Sequence, residues 1–279
     1  MGILNIEADS RRIALSRASD GDPLIVQHAP QDHRPFIHPL RAPDGQGVLT
    51  ENAPGHHPWQ HGLYVGLNLV NGIGYWSEGL GGNPERDGTF HPEPLDPPEV
   101  EGNCASWQVR CPWRGPGGEP VLVEEQRWQF RDLGAVLHLD MDWRLSAEVD
   151  IEFGRYDYGG LFLRMPYRAE IGGRALNSEG LDQEQAEGQP ARWVAVAMPL
   201  EDRADEAGVA IMDHPQNDGH PVPWRVDGQL GIAPSRCIAG AWTLDRGQVA
   251  RNRYGIVAFA GSIDSNDLES RFRTFAGTV

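Results

Sequence analysis

The 279-residue chain has no lysine; all 24 of its basic residues are arginine. That absence excludes chemistry built on a lysine amine: Schiff-base aldolases, lysine-bound pyridoxal phosphate enzymes, Walker-A nucleotide hydrolases and protein kinases. Long apolar runs are missing too, and none nears the roughly 20 residues of a membrane helix. The opening stretch MGILNIEADSRR shows none of the successive regions of a signal peptide. A soluble, cytoplasmic protein is the expectation. Only three cysteines occur, Cys104, Cys111 and Cys237, with no CxxC spacing, which points to free thiols. Cationic charge is short: the formal net charge of −16 repels nucleic-acid phosphate and anionic lipid, so neither is an expected partner. No GxSxG, HExxH or GxGxxG motif is present.

Glycine (34) and proline (22) are abundant and break the chain every eight to twelve positions, the spacing of short strands joined by turns. The clearest strand is 135–145. Its odd positions are Ala135, Leu137, Leu139, Met141, Trp143 and Leu145, and its even ones include His138, Asp140, Asp142 and Arg144. Strict period two predicts a buried odd face and a solvated even face. Residues 121–130 precede it through a hairpin turn, and 106–113 supply a further antiparallel partner. Other predicted strands are 4–8, 12–16, 24–28, 36–38, 64–70, 161–165, 193–197, 208–212, 238–243, 254–260 and 270–275. Helical periodicity is confined to 181–187 and 201–206, and 79–101 reads as a long surface loop. The expected fold is all-β, a large antiparallel β-sandwich forming one domain over 1–279.

Six of the ten histidines fall between His28 and His61. Pro35, Pro39, Pro54 and Pro58 hold these segments extended or turned, so the imidazoles sit on rigid loops. Such a cluster serves as a proton shuttle, a metal site or a polar wall. His57 and His61 are four apart, but an i, i+4 metal pair needs a helix and Gly62 stops one. A divalent metal, loop-capping histidines and a metal-free polar site stay as alternatives, and no cofactor is firmly implied. A second cluster, DHPQNDGHPVPW at 213–224, repeats the His-Pro and Trp chemistry of His57-Pro58-Trp59. One mouth of the sandwich is the expected meeting place of His38, His57 and His61 with His214 or His220. A third group, FGRYDYGGLFLRMP at 153–166, carries Tyr158 and Arg164; an arginine lining a cleft clamps hydroxyls or a carboxylate. Glu124, Glu125 and Glu179 are candidate carboxylates for acid–base work with a histidine. Of nine tryptophans, Trp59, Trp76 and Trp224 lie in polar loops, where indole faces stack on sugar rings.

At RPFIHPLRAPDG, HPWQHGLYVGLNLVNGIGYW, YGGLFLR, NSEG and DHPQNDGHPVPW the chain resembles the bacterial PmoA-like family, in the same order from about residue 33 to 260. That family's label ties it to methane oxygenase, but a membrane-embedded oxygenase subunit needs spanning helices, which this sequence does not offer. The resemblance implies a domain of unknown function from sugar-catabolic settings, with a galactose-mutarotase-type sandwich. Trp59 and Gln60 replace two histidines that many members carry. The resemblance also implies His38, His57, Asn71, Arg164, His214, Asn217, His220 and Trp224 as site positions. The functional expectation is a carbohydrate-active enzyme on a glycoside or keto-sugar, a hydrolase, lyase or epimerase. Its catalytic set is His57, His61, His214 and Arg164. Its sugar-binding set is His38, Trp59, Asn71, Trp76, Tyr158, Asn217, His220 and Trp224. The alternative is a non-catalytic carbohydrate-binding protein on the same scaffold. The expected partner is a small-molecule sugar, with the oligomeric state open.

Overall fold

The alternation at 135–145 becomes the strand Val136–Ala147, in which Leu137, Leu139, Met141, Trp143 and Leu145 are all buried. The computed structural model describes residues 4–18 and 21–278 of the chain. Two sheets pack face to face. The first has eleven strands, eight of them in the order Leu4–Ala8, Arg12–Arg17, Ile25–His28, Phe36–Leu40, Leu63–Val70, Gly160–Leu163, Ile232–Pro234 and Trp224–Val226. The second has nine, of which eight run Arg174–Asn177, Trp193–Pro199, Glu206–Asp213, Val249–Ala260, Val136–Ala147, Pro120–Asp132, Cys104–Arg114 and Thr89–Phe90. The long strands pair antiparallel, so the protein is the large antiparallel β-sandwich expected.

Burial of inward apolar side chains stabilises the stack. Leu63, Val65, Leu161 and Leu163 of the first sheet share one core with Leu139, Met141, Val209 and Ile256 of the second. Glu124 also faces inward. Its carboxyl is fully buried and accepts hydrogen bonds from Trp113 Nε1 (3.1 Å), Trp143 Nε1 (2.8 Å) and Gln126 Nε2 (2.8 Å). Burial raises its pKa despite those donors. This candidate acid–base group therefore belongs to the core. The three cysteines are unbridged.

The segment predicted as strand 270–275 is instead part of the helix Ser265–Ala276, started by Asp264, whose side chain accepts from the amides of Asn266 and Asp267. Its apolar residues, Leu268, Phe272 and Phe275, follow helical spacing that a six-residue window hides. They cover Trp193, Ala210, Met212, Val257 and Phe259 on the outer face of the second sheet. Residues 238–243 divide between the short helix Arg236–Ala239 and the strand Trp242–Leu244, while 201–205 forms turns and bends rather than helix and Glu206 opens a strand. The 79–101 segment holds the strands Thr89–Phe90 and Glu99–Glu101 against the sheet edge, with Phe90 buried. The even face of Val136–Ala147 is also less wet than expected. His138 is 7% exposed, and Asp140 pairs with Arg131 while Asp142 takes both Arg144 and Arg251.

Phe272→Ala should cost about 3–5 kcal/mol, the usual range for truncating a buried phenylalanine. Urea unfolding measures it. An unchanged midpoint would mean that the helix adds little to the stability of the sandwich.

Candidate functional site

On the first sheet the same alternation that sends Leu63 and Val65 inward turns Tyr64 outward, together with Phe36, Phe162, His38 and Arg164. Beneath these rings lies Arg34, with no exposed surface. A Cβ on Gly66 would sit 2.7 Å from Arg34 Nη1 and 2.7 Å from Trp76 Cε3, so only glycine lets the guanidinium pass under the indole. Arg34 donates to the carbonyls of Val65 (3.3 Å) and Trp76, lies 4.7 Å from the Tyr64 ring centre and 3.3 Å from Glu78 Oε1. Glu78 Oε2 contacts His61 Nε2 at 2.8 Å, and His61 Nδ1 contacts Asn52 Oδ1 at 2.8 Å. Burial pushes the Glu78 carboxyl up, but the Arg34 charge and the His61 contact outweigh it and hold the pKa at about 2.

Against this wall opens a cleft of about 260 Å³. Its apolar surfaces are Trp59, Trp76, Tyr158 and Phe162; its polar ones are His57, Gln60, Arg225, Asp227 and Gln229. Asp227 shapes its own turn, one carboxylate oxygen accepting from the amides of Gln229 and Gly231, both at 2.8 Å. Arg225 is tied to Glu187 at 2.6 Å. Behind Gln229 lies Arg164, whose Nη2 donates to Gln229 Oε1 and lies 2.8 Å from His56 Nε2. Burial, then the charges of His56 and Arg164, lower the His57 pKa, leaving a neutral imidazole at neutral pH. Burial and His28 take His38 down to about 4, and its Nδ1 contacts Thr50 Oγ1 at 2.9 Å.

Among the described residues fourteen buried side-chain nitrogen or oxygen atoms make no hydrogen bond, and seven of them, besides Arg34 Nε facing Glu78, belong to this region. They are Nε and Nη1 of Arg164, His57 Nδ1, Trp59 Nε1, Tyr64 Oη, Glu51 Oε2 and Gln60 Oε1. A native protein leaves few such atoms, and each calls for an explanation.

Of the residues singled out from sequence, His57, Trp59, Trp76 and Tyr158 line the cleft and Arg164 lies behind it. His38 shares the same outer face, while both ring nitrogens of His61 are engaged, by Glu78 and by Asn52. The second cluster does not join them. His214 meets Phe275 edge-on and His220 stacks on Phe272, which places both beside the C-terminal helix on the opposite face of the sandwich. Their loop folds around Asp213, which accepts from Asn217 Nδ2 (2.7 Å) and the Val222 amide (3.3 Å) and contacts His220 Nδ1 (2.8 Å). Trp224 is core, its indole donating to the Ala191 carbonyl at 2.8 Å. Asn71 ties a turn, donating to the Asp150 carbonyl and accepting from the Glu152 amide. The expectation of one convergent mouth is therefore corrected: similar loops serve different ends. Sequence reasoning missed Asp227, Gln229, Arg225, Gln60 and Phe162; the Asp227-Gly228 pair is a turn signal that could have drawn attention to the first two. Among the described residues, no group of three His, Cys, Asp or Glu is placed to hold a metal ion.

A β-sandwich with an aromatic and polar cleft on one outer face is the class this geometry defines. Within it, the chain belongs to the family of unknown function DUF6807, whose model matches residues 15–273. The PmoA-like likeness rests on the motifs alone. No curated protein matches the chain. Among solved structures it is similar to a galactose mutarotase related enzyme from Lactobacillus acidophilus, at 8% identity over 93% of this chain and 98% of that one, with a TM-score of 0.37. It is also similar to the α-galactosidase from Lactobacillus brevis (11% identity, 97% of this chain, 41% of that one, TM-score 0.40). A third is the GH36 α-galactosidase AgaB from Geobacillus stearothermophilus (10%, 92% and 41%, TM-score 0.36). The chain spans about two fifths of the length of these two galactosidases. No helix among the described residues is long and apolar enough to cross a membrane.

These ionisations predict the acid stability. His38 is held neutral, so its contribution is present above its ordinary 6.5 and is lost as pH falls towards 4. Glu78 is held charged, so its contribution is present above its ordinary 4.5 and is lost as pH falls towards 2. The melting temperature should therefore fall through both windows. Glu78→Gln should lower it at pH 7 and remove the step below 4.5. Melting curves of both proteins from pH 7 to pH 2 check this, and a parallel decline would refute it.

Proposed function

We propose that this protein is a carbohydrate-active protein whose cleft takes a single sugar or keto-sugar, with His57 as the proton-transferring group. The observation that carries the reading is the convergence of seven buried polar atoms without a hydrogen bond beside an aromatic-walled cleft. Donors (Arg164, Trp59, Tyr64) and acceptors (Glu51, Gln60) together suit a ligand with several hydroxyls, each of which both donates and accepts. Trp59, Trp76 and Tyr158 supply the flat apolar surfaces on which the C–H face of a sugar ring packs. At about 260 Å³ the space lies at the small end of ligand sites, which suits one ring rather than a polymer.

The neutral imidazole of His57 can take a proton at neutral pH from a hydroxyl or from a carbon beside a carbonyl. The positive charge of Arg164, behind Gln229, supports stabilisation of negative charge that develops on a carbonyl oxygen. A hydrolase, lyase or epimerase on a glycoside or keto-sugar fits these roles. One observation favours non-catalytic sugar binding instead: no carboxylate hydrogen-bonds His57 to orient it, its Nδ1 having no partner.

His57→Ala separates the two. If His57 moves the proton, turnover of a sugar substrate should fall by about a hundredfold or more while the melting temperature holds. Trp59→Ala should weaken ligand binding by roughly fivefold, about 1 kcal/mol of lost aromatic contact. Sugar binding by the parent without any turnover across a panel of glycosides and keto-sugars would establish the binding reading.

A further inference from the structure

Granted that the cleft takes a sugar, on which this inference rests, the charge arrangement behind it narrows the class of sugar. Arg164 is 1% exposed, yet no carboxylate hydrogen-bonds it. Glu51 Oε2 stands 3.8 Å from its Nε, and the other oxygen of Glu51 is engaged by Arg168 at 2.7 Å. The charges of Asp227 and then Glu51 act on this guanidinium, but neither carboxylate hydrogen-bonds it, and arginine is the side chain suited to planar, two-point recognition of a carboxylate. Nη1 has no partner at all, and Nη2 is shared by His56 Nε2 and the carboxamide oxygen of Gln229. Gln229, half-buried, lines the cleft on the turn formed by Asp227. The neutral oxygen that Arg164 now holds is thus the one standing between the guanidinium and the open cleft.

We propose that the ligand is a sugar acid, a polyhydroxylated molecule bearing a carboxylate, and that this carboxylate displaces the Gln229 carboxamide from Arg164. A carboxylate set end-on against the guanidinium fills Nη1 and replaces Gln229 on Nη2, giving two charge-assisted hydrogen bonds where one neutral acceptor sat. The hydroxyls of the same molecule then reach His57, Trp59 and Asp227 in the cleft. The chain's net charge of −16 opposes an anion at long range, but salt screens that field beyond about 10 Å, while the Arg164 contact is short-range and buried. Arg225, the guanidinium on the cleft wall itself, is already committed to Glu187, so discrimination for the acid falls on Arg164 behind Gln229.

Titration calorimetry on the full chain with matched pairs tests this: glucose against glucuronate and galactose against galacturonate, with glucose 6-phosphate as a further arm. In at least one pair the acid should bind about tenfold or more tightly than the neutral sugar, the gain expected of charge-assisted hydrogen bonds. Gln229→Ala should tighten binding of the acid several-fold relative to the neutral sugar, because it removes the competitor. Arg164→Gln should erase the difference within the pair. Should that buried variant fail to fold, Gln229→Ala decides alone. Equal affinity for acid and neutral sugar, or weaker acid binding by Gln229→Ala, overturns the sugar-acid assignment and leaves the sugar cleft standing. Glucose 6-phosphate binding tighter than either uronate also overturns it, in favour of a phosphate ligand. Binding of none of the five compounds counts against both this inference and the sugar reading.

Discussion

A single buried ion pair, Arg34 with Glu78, organises the outer face of the first sheet. The pair is short of water on every side, and Arg34 spends its remaining donors on the backbone carbonyls of Val65 and Trp76. Those two carbonyls lie on neighbouring segments of one hairpin, so the guanidinium pins the strand Leu63–Val70 to the chain that returns beside it. Buried pairs are poor sources of net stability but good selectors of one arrangement over others. Here the selected arrangement sets Tyr64 over the cation and stands Trp76 at the cleft wall. It also withdraws His61, which Glu78 holds, from any role that needs a free ring nitrogen.

The two outer faces of the sandwich have been finished in different ways. The second sheet closes part of its face with the helix Ser265–Ala276, and the loop at 213–222 is locked around Asp213. Among the described residues the first sheet has no such cover, and short loops rich in histidine, proline and glycine rim it instead. That difference leaves a cleft on one face and a packed helix on the other. It also accounts for the contrast between two loops of like composition. His220 meets a buried carboxylate and becomes a brace, whereas His57 meets another imidazole and a guanidinium and keeps a nitrogen unpartnered.

The legible part of the sequence is the part that repeats. Period two at 135–145 was legible because a sheet must bury one face, and the parity of Trp128 and Phe130 on 121–130 places Glu124 inward by the same rule. That two indoles from neighbouring strands would satisfy Glu124 was not legible, because cross-strand register is a property of the assembled sheet. The C-terminal helix was hidden because its helical period rests on Leu268, Phe272 and Phe275, and a window over 270–275 holds only the last two. Histidine density marked the right neighbourhood, yet roles within it depended on partners far along the chain: Glu78 for His61, Gln229 for His56 and Arg164. The Asp227-Gly228 pair marks the turn that carries Gln229, but nothing local announces its contact with Arg164.

The distribution of indoles gives the cleft a spectroscopic voice. Trp113 and Trp143 are locked onto Glu124 in the core, Trp107 is bonded to Gln27 and Trp128 to Gln126, and Trp224 is sealed against Ala191. None of these changes its surroundings unless the sheets part. Trp59 and Trp76 line the cleft, and Trp59 keeps an N–H without an acceptor. Trp193 lies beneath the C-terminal helix and Trp242 stacks on Phe153, so the emission of the folded protein is a background from these seven indoles with a small, local component that responds to a molecule entering the cleft. Occupancy and unfolding can be followed in one cuvette, as separate signals from the same kind of chromophore.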